Sequence, residues 1–283
     1  MPHERLRVEI QRNVAKALAE DIGNGDLTAR LLPTAARSQA KVITREAAIL
    51  CGCAWFNAVF AALSPIASVQ WHAHDGDPVE PGQVLCDVLA PTQTLLTAER
   101  TALNFLQLLS ATATLTRRYV EAVAGTQAKI VDTRKTLPGL RLAQKYAVNI
   151  GGGDNHRAGL YDGILIKENH IIAAGSIHAA MNAALALAPE DVFIEIEVEN
   201  LEELDAALDA GARLILLDNM NPNDMREAVR ITAGRATLEA SGGINLANVR
   251  EIAETGVDRI SIGGLTKDVK AIDLSLRLVN GQG

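Results

Sequence analysis

Residues 192–218, VFIEIEVENLEELDAALDAGARLILLD, decide the fold. They open on an apolar run, VFIEIEV (192–198), pass through an amphipathic segment from Leu201 to Ala210, and close on a second aliphatic run, RLILLD (213–218). Strand, helix and strand joined this tightly indicate parallel strands with a crossover helix, because parallel neighbours need such a connection. The first run also alternates. Glu195, Glu197 and Glu199 fall on one face, with Ile194, Ile196 and Val198 on the other.

The rhythm extends both ways. KIVD (129–132) and GILIK (163–167) come before, and ATLEAS (236–241) and DRISIGG (258–264) after. Amphipathic segments Leu140–Val148, Ile177–Ala188, Asp224–Ile231 and Leu246–Glu254 separate them. From residue 129 onward the chain is βα repeated about six times, either a doubly wound sheet or a barrel. No GxGxxG follows the first strand, which weakens a dinucleotide-binding sheet. Polar residues end every strand: Asp132-Thr133-Arg134-Lys135, Lys167-Glu168-Asn169, Glu197 with Glu199, Asp218-Asn219, Ser241-Gly242-Gly243 and Gly263-Gly264. In a barrel these ends converge on one mouth, whereas an open sheet gathers only those beside a switch point. The pattern favours the barrel.

Upstream the pattern is mixed. A helix is predicted over the first two-thirds of residues 1–30, ending in the acidic turn Glu20-Asp21-Ile22-Gly23-Asn24-Gly25-Asp26, read as solvated carboxylates rather than a metal site. Residues 39–50 read as a strand entering a hairpin, Trp55–Leu63 as a helix, and Val69–His74 and Gln83–Leu89 as strands flanking Gly/Pro turns. His72 and His74 share a strand face with no third ligand nearby in sequence, so they read as solvated. Thr97–Ala124 is a long helix with Glu99 and Arg100 near its start.

Composition narrows the function. The chain of 283 residues has 27 basic and 34 acidic residues, net charge −7, and a pI near 5.4, which argues against bulk nucleic-acid binding. No apolar run is long enough for a membrane span, and the start, MPHERLRVEI, lacks a signal core. Cys51, Cys53 and Cys86 include no CxxC pair and read as reduced cysteines of a cytoplasmic protein. With aromatics at 3%, the core is expected to be Ala, Leu, Ile and Val.

Against this acidic background Arg134, Lys135, Arg141, Lys145, His156, Arg157 and Lys167 cluster between Val131 and Ile171, around Gly151-Gly152-Gly153. Local cations beside Gly-rich turns suit phosphates and carboxylates. Ser241-Gly242-Gly243 and Gly263-Gly264 fit either a phosphate cup with bare N–H groups or ordinary loop glycines. Three inward carboxylates on one strand need cations, hydroxyls or Mg²⁺ to offset their repulsion. Lys167 fits either a Schiff-base lysine or a fixed charge.

Over nearly its full length the chain resembles the quinolinate phosphoribosyltransferases. The resemblance is carried by Glu20-Asp21-Ile22-Gly23 with Gly25-Asp26, Glu99-Arg100-Thr101-Ala102-Leu103-Asn104 and Asp132-Thr133-Arg134-Lys135-Thr136. Asn155-His156-Arg157, Ile166-Lys167-Glu168-Asn169-His170, Leu217-Asp218-Asn219 and Glu239-Ala240-Ser241-Gly242-Gly243 continue it in order.

The resemblance implies an N-terminal α+β sandwich (residues 1–112) and a C-terminal open α/β barrel (113–269) of the type II phosphoribosyltransferase fold, with 270–283 packing on the first domain. It implies a homodimer with shared active sites, alone or within a higher oligomer, in which Arg100 completes the partner's site. The implied reaction joins quinolinate to 5-phosphoribosyl-1-pyrophosphate (PRPP) with Mg²⁺. Its products are nicotinate mononucleotide, pyrophosphate and CO₂, a step of de novo NAD biosynthesis. Lys135, Lys167, Glu197 and Asp218 are the implied catalytic residues. Thr133 and the cations Arg100, Arg134, Lys135, His156, Arg157 and Lys167 line the substrate site. Glu197 and Asp218 hold ribose hydroxyls and Mg²⁺, directly or through water or PRPP. Ser241, Gly242, Gly243, Gly263 and Gly264 form the 5′-phosphate cup.

Three departures stand out: Leu137 for a second threonine, Ala111-Thr112-Ala113 for Gly-Ile-Ala, and Thr266-Lys267-Asp268 for a Ser- or His-containing turn. Rival readings are a phosphoribosyltransferase acting on nicotinate or another ring acid, a barrel aldolase using Lys167, and a silent phosphate-binding barrel.

Overall fold

A computed structural model describes residues 3–33 and 36–279 and divides them into two compact units. The first comprises residues up to Arg117, Leu137–Gly152 and the segment from Asp268; the second comprises Arg118–Thr136 and Gly153–Lys267. A single cut after residue 112 therefore misses a return of the chain to the first unit between the two stretches of the second.

In the first unit the helix α1 (His3–Ile22) leads into strand β1 (Arg37–Thr44) and the short β2 (Ala48–Ile49). Then come α2 (Cys53–Leu63), β3 (Ser68–Trp71), β4 (Pro78–Val79), β5 (Val84–Pro91) and the 31-residue α3 (Thr92–Ala122), whose last turn enters the second unit. β1 does not form the expected local hairpin. It lies between β5 and the C-terminal strand, antiparallel to both, while β2 pairs with β4. The strand partners of β1 are remote in sequence, so local turn signals cannot announce them.

The core of this unit is more aromatic than composition suggests. Trp55, Phe56 and Phe60 on α2 are fully buried, and Trp55 Nε1 donates to Asn13 Oδ1 of α1 at 3.1 Å. The few aromatics are concentrated there, where each removes a large apolar area from water. The acidic turn after α1 is also more than solvated. Asp26 accepts from Thr97 Oγ1 at 2.8 Å and from the Thr28 and Ala29 amides at 2.9 Å, and Asp21 accepts from Thr101 Oγ1 at 3.1 Å. Those bonds tie α1 to α3 and lower the Asp26 pKa.

The second unit is built on six parallel strands: β6 (Lys129–Val131), β7 (Gly163–Ile166), β8 (Phe193–Val198), β9 (Leu214–Asp218), β10 (Thr237–Ser241) and β11 (Arg259–Ser261). Between β6 and β7 runs α4 (Arg141–Gly151), which clusters with the first unit and places Ala143 and Ala147 in its core. The others are α5 (Glu168–Ala174), α6 (Ile177–Leu187), α7 (Leu201–Asp209), α8 (Pro222–Thr232), α9 (Val249–Ala253) and α10 (Gly264–Lys267). β12 (Leu274–Val279) then returns to pair with β1.

The strand order β6-β11-β10-β9-β8-β7 is a ring read backwards from its first strand, with one seam between β6 and β7. A doubly wound sheet would reverse direction at a switch point; this order never does. It is an open α/β barrel. Along β6 the seam is lined by residues 154–157: Asp154 bridges Val131 in parallel, its amide donating to Ile130 O at 2.8 Å.

Helix starts follow closely on the strand ends. Asn200 caps α7 by accepting from the Glu203 amide, and Asn221 caps α8, with Pro222 in its first turn, by accepting from the Asn223 and Asp224 amides. These caps fix where each strand stops. Among the described residues no single helix is long and apolar enough to cross a membrane.

Candidate active site

The site is assembled at the carboxyl ends of the parallel strands of the second unit. At the end of β6 Asp132 is fully buried. Its Oδ2 accepts from Asn155 Nδ2 at 2.7 Å and its Oδ1 from the His156 amide at 2.8 Å. Sequence reading gave Asp132 no role of its own, yet it binds the Arg134-Lys135 turn to the Asn155-His156-Arg157 segment.

In that turn the Lys135 amide donates to Thr133 Oγ1 at 3.1 Å, and Thr266 Oγ1 donates to Lys135 O at 2.7 Å. Gly263 faces it. A Cβ on Gly263 would lie 3.0 Å from Lys135 Cδ, so this glycine makes room for the lysine stem rather than serving a positive φ. Gly264 opens α10 immediately behind. Arg157 donates from Nη1 to Gly163 O at 3.0 Å. Its pKa is lowered, first by burial and then by the like charge of Arg134. The two guanidiniums therefore sit close enough to repel.

Lys167 follows β7 and pairs with Glu197 near the end of β8; their side chains are 47% and 15% exposed. A Schiff-base lysine is activated by an apolar pocket or a second cation. A half-exposed lysine on a carboxylate is the opposite environment and suits a fixed charge. Around it Glu168, Glu199, Glu203 and Asp218 gather negative charge, raising the pKa of Glu199 through Glu168 first, then burial, then Glu203, Asp218 and Glu197.

Asp218 ends β9 opposite Ser241 on β10, where the Asn219 amide donates to Ser241 O at 2.9 Å. Asn219, at φ 54°, donates from Nδ2 to Asp218 Oδ2 at 2.7 Å. Gly242 is required twice over. Its φ is 100°, and a Cβ would lie 2.6 Å from Asn219 Cγ. Gly243, at φ 60°, has open space and accepts through its carbonyl from Asn248 Nδ2 at 3.2 Å.

His156 differs from the expectation. It was read as one more cation facing the ligand, but its ring is buried and bonded to protein. Nδ1 accepts the Arg157 amide at 2.8 Å, so Nε2 carries the proton and lies 2.6 Å from Glu195 Oε2. With Nδ1 occupied by that amide, Nε2 is the ring nitrogen left to donate to Glu195. Glu239, beside it, has a raised pKa because it is desolvated and close to Glu195, with Arg259 and His156 opposing the shift. Glu195 and Glu239 were missed as a pair, although each is an acid in an apolar run and two residues before a mouth residue. Arg100 lies in the first unit, exposed on α3.

The remaining early candidates are structural. His72 Nε2 pairs with Asp87 Oδ2 at 2.6 Å, which lowers the Asp87 pKa. Cys51, Cys53 and Cys86 are free thiols whose pKa values are pushed up by burial first and nearby carboxylates second.

Comparison with known proteins shows the family of the chain. The family profile described as quinolinate phosphoribosyl transferase, C-terminal domain, matches residues 112–277, and its N-terminal counterpart matches residues 26–110. A probable nicotinate-nucleotide pyrophosphorylase [carboxylating] of Bacillus subtilis is 43% identical over 257 residues, covering 91% of this chain and 89% of the relative. A mitochondrial quinolinate phosphoribosyltransferase [decarboxylating] of Nicotiana tabacum is 39% identical, covering 93% of this chain and 80% of its own length. The solved nicotinate-nucleotide pyrophosphorylase from Francisella tularensis superposes with a TM-score of 0.93 at 46% identity, covering 96% of both chains.

The two glycines predict different damage. Gly242→Ala, strained and colliding with the Asn219 amide, should lower stability by about 1–3 kcal/mol. Gly263→Ala meets only a flexible lysine stem and should cost under about 1 kcal/mol. Urea unfolding of both variants measures the difference; equal losses would contradict the assignment of Gly263 to making room for Lys135.

Proposed function

The chain belongs to the quinolinate phosphoribosyltransferase family, and on that premise we propose that it joins quinolinate to PRPP, releasing pyrophosphate and CO₂ and forming nicotinate mononucleotide for NAD biosynthesis. What carries the reading is the gathering of Arg134, Arg157, Lys135 and Lys167 beside Glu197 and Asp218 at one set of strand ends. Quinolinate bears two adjacent carboxylates. Arg157, whose pKa is lowered by burial and then by the charge of Arg134, is stabilised by such a dianion beside it.

In the proposed site Arg134, Lys135, Arg157 and Lys167, with Arg100 from the partner, take the carboxylates. Glu197 and Asp218 accept from the ribose hydroxyls. Ser241, Gly242 and Gly243 on one side and Gly263 and Gly264 on the other receive the 5′-phosphate. Thr133 orders the Lys135 turn. The pyridine nitrogen attacks C1 of the ribose as pyrophosphate leaves with the C–O bonding pair. The alkylated ring then accepts the electrons of the C2–carboxylate bond; CO₂ departs and a proton takes its place. The chain contributes positioning and electrostatic stabilisation, and no residue needs to act as a dedicated base.

Glu197 and Asp218 would hold Mg²⁺, directly or through water or PRPP. The donor set fits: hard carboxylate oxygens amid enough negative charge to raise the Glu199 pKa. When bound, the ion offsets the charge that develops on departing pyrophosphate. A homodimer with shared sites is part of the proposal, since Arg100 is exposed on α3 and lies outside the unit that carries the mouth. The free, apolar-buried thiols suit the reducing cytoplasm.

Quinolinate labelled in its C2 carboxylate, incubated with PRPP and Mg²⁺, should give nicotinate mononucleotide and labelled CO₂ in equal amounts. Product from nicotinate with no gas release would favour the related ring-acid enzyme instead. Arg134→Ala and Lys135→Ala should weaken quinolinate on the order of 10- to 100-fold, as for lost charged hydrogen bonds, with a much smaller effect on PRPP. Comparable loss of both ligands in titration calorimetry would contradict the roles. Arg100→Ala and Lys167→Ala subunits, each nearly inactive alone, should regain activity when mixed, because one of the two sites in the hybrid is intact. Properly exchanged hybrids that stay inactive would rule out sharing.

A further inference from the structure

Beneath the mouth the barrel carries a second polar set that the proposed chemistry leaves unused. Glu195 lies two residues before Glu197 on β8, and Glu239 two before Ser241 on β10, so each shares a face with a mouth residue. Both carboxylates have no exposure. Arg259, the register partner of Glu239 on β11, puts Nε 3.0 Å from Glu239 Oε2. His156 Nε2 lies 2.6 Å from Glu195 Oε2 and 3.8 Å from Glu239 Oε1. Among the described residues Glu195 Oε1 and both Glu239 oxygens have no well-aligned hydrogen-bond donor, and the charge of Arg259 and the Ser261 hydroxyl both favour the Glu239 carboxylate.

Such a layer is a poor way to fill a barrel. Buried ion pairs are commonly no more stable than well-packed apolar side chains of the same volume. Its geometry does accomplish one thing. A carboxylate only accepts, so Glu195 claims the proton of His156 at Nε2 and leaves Nδ1 bare. Bare Nδ1 then takes the Arg157 amide at 2.8 Å, while Asp132 takes the His156 amide and the Asn155 side chain. Three consecutive residues are thus fixed, and Arg157 is held against the repulsion of Arg134.

We propose that Glu195, Glu239 and Arg259 are positioning residues for the quinolinate end of the site, acting by locking His156 in the Nε2–H tautomer that anchors Arg157. The proposal rests on the function given above. A guanidinium fork meets a carboxylate in one plane, so a small displacement of Arg157 weakens recognition without touching the ribose and phosphate side.

The test compares His156→Asn with His156→Gln, alongside Glu195→Gln. Asparagine keeps an acceptor near the place of Nδ1 but cannot reach Glu195; glutamine reaches Glu195 but offers the Arg157 amide no acceptor. With folding checked by circular dichroism, His156→Gln should lose about 10-fold more quinolinate affinity than His156→Asn, on the scale of one hydrogen bond to a charged partner's backbone. Glu195→Gln should raise the KM for quinolinate while leaving that for PRPP within about 2-fold. Nitrogen-15 spectra of the wild-type protein should show His156 neutral with the proton on Nε2. Equal losses in the two His156 variants, a doubly protonated ring, or equal shifts in both KM values would overturn the proposal. So would a stoichiometric transition metal released by His156→Asn, because Nε2 would then be a ligand and not a donor. A wild-type enzyme that fails to release CO₂ from quinolinate refutes the function itself; one that turns over normally, with variants showing no split, refutes only the positioning role.

Discussion

Asp132 is the constraint on which the mouth depends. It is fully buried where β6 ends, and leaving a buried carboxylate without hydrogen-bond partners is costly. The satisfying donors come from residues 155 and 156, some two dozen positions later, after the chain has left the unit and returned. One side chain thereby closes a loop between the turn that presents Arg134 and Lys135 and the segment that presents Arg157. Without it the seam of the open barrel would have nothing to set the distance between its two cationic arms. The parallel bridge from Asp154 to Val131 fixes height along β6; Asp132 fixes orientation.

The electrostatics follow from that closure. The chain is acidic overall, net charge −7, yet the mouth opposes cations from β6 and the seam to carboxylates from β8 and β9. Lys167 stands between the halves, paired with Glu197. On the cationic side the Arg157 pKa is lowered by burial and then by Arg134, and on the acidic side the Glu199 pKa is raised by Glu168 first and then by burial and its neighbours. Each half is self-repelling, and each is relieved by the charge the other type of ligand brings. On the proposed function, a pyridine dicarboxylate would suit the first and a pyrophosphate sugar carrying Mg²⁺ the second. The polarity of the site thus orders its two substrates in space before either arrives.

Much of this was legible in the sequence. Period-two runs alternating with amphipathic segments give the parallel strands, and polar residues closing each run give the mouth, because both signals are local. The pairing of β1 with β5 and β12 was not legible, nor was the assignment of α4 to the first unit. Those depend on which apolar faces meet, and Ala143 and Ala147 look the same whichever core they enter. His156 was misread for a related reason. Its residue type suits an anion, but Nδ1 turns back onto the next amide and Nε2 onto Glu195, and only the structure reveals those turns. Gly263 was read as part of a phosphate cup or as an ordinary loop glycine, and the lysine stem beside it is a reason the sequence does not show.

The alternation that exposed the mouth also concealed its support. In FIEIEV the outer acid, Glu197, invites a role, and Glu195 looks like the same face repeated; in TLEAS the serine draws notice before Glu239. Yet a glutamate two residues deeper in a barrel is a different object. At the rim it is partly solvated and free to meet a ligand; one layer down it must be neutralised by protein. The raised pKa of Glu239 states the consequence: the folded barrel binds that proton more tightly than an unfolded chain would, so stability falls as pH rises from the ordinary glutamate range toward neutrality. A layer that opposes folding at neutral pH, where apolar side chains would do better, persists for what it aligns. Here, on that proposal, the aligned object is the Arg157 backbone, and through it the guanidinium that donates to Gly163 O.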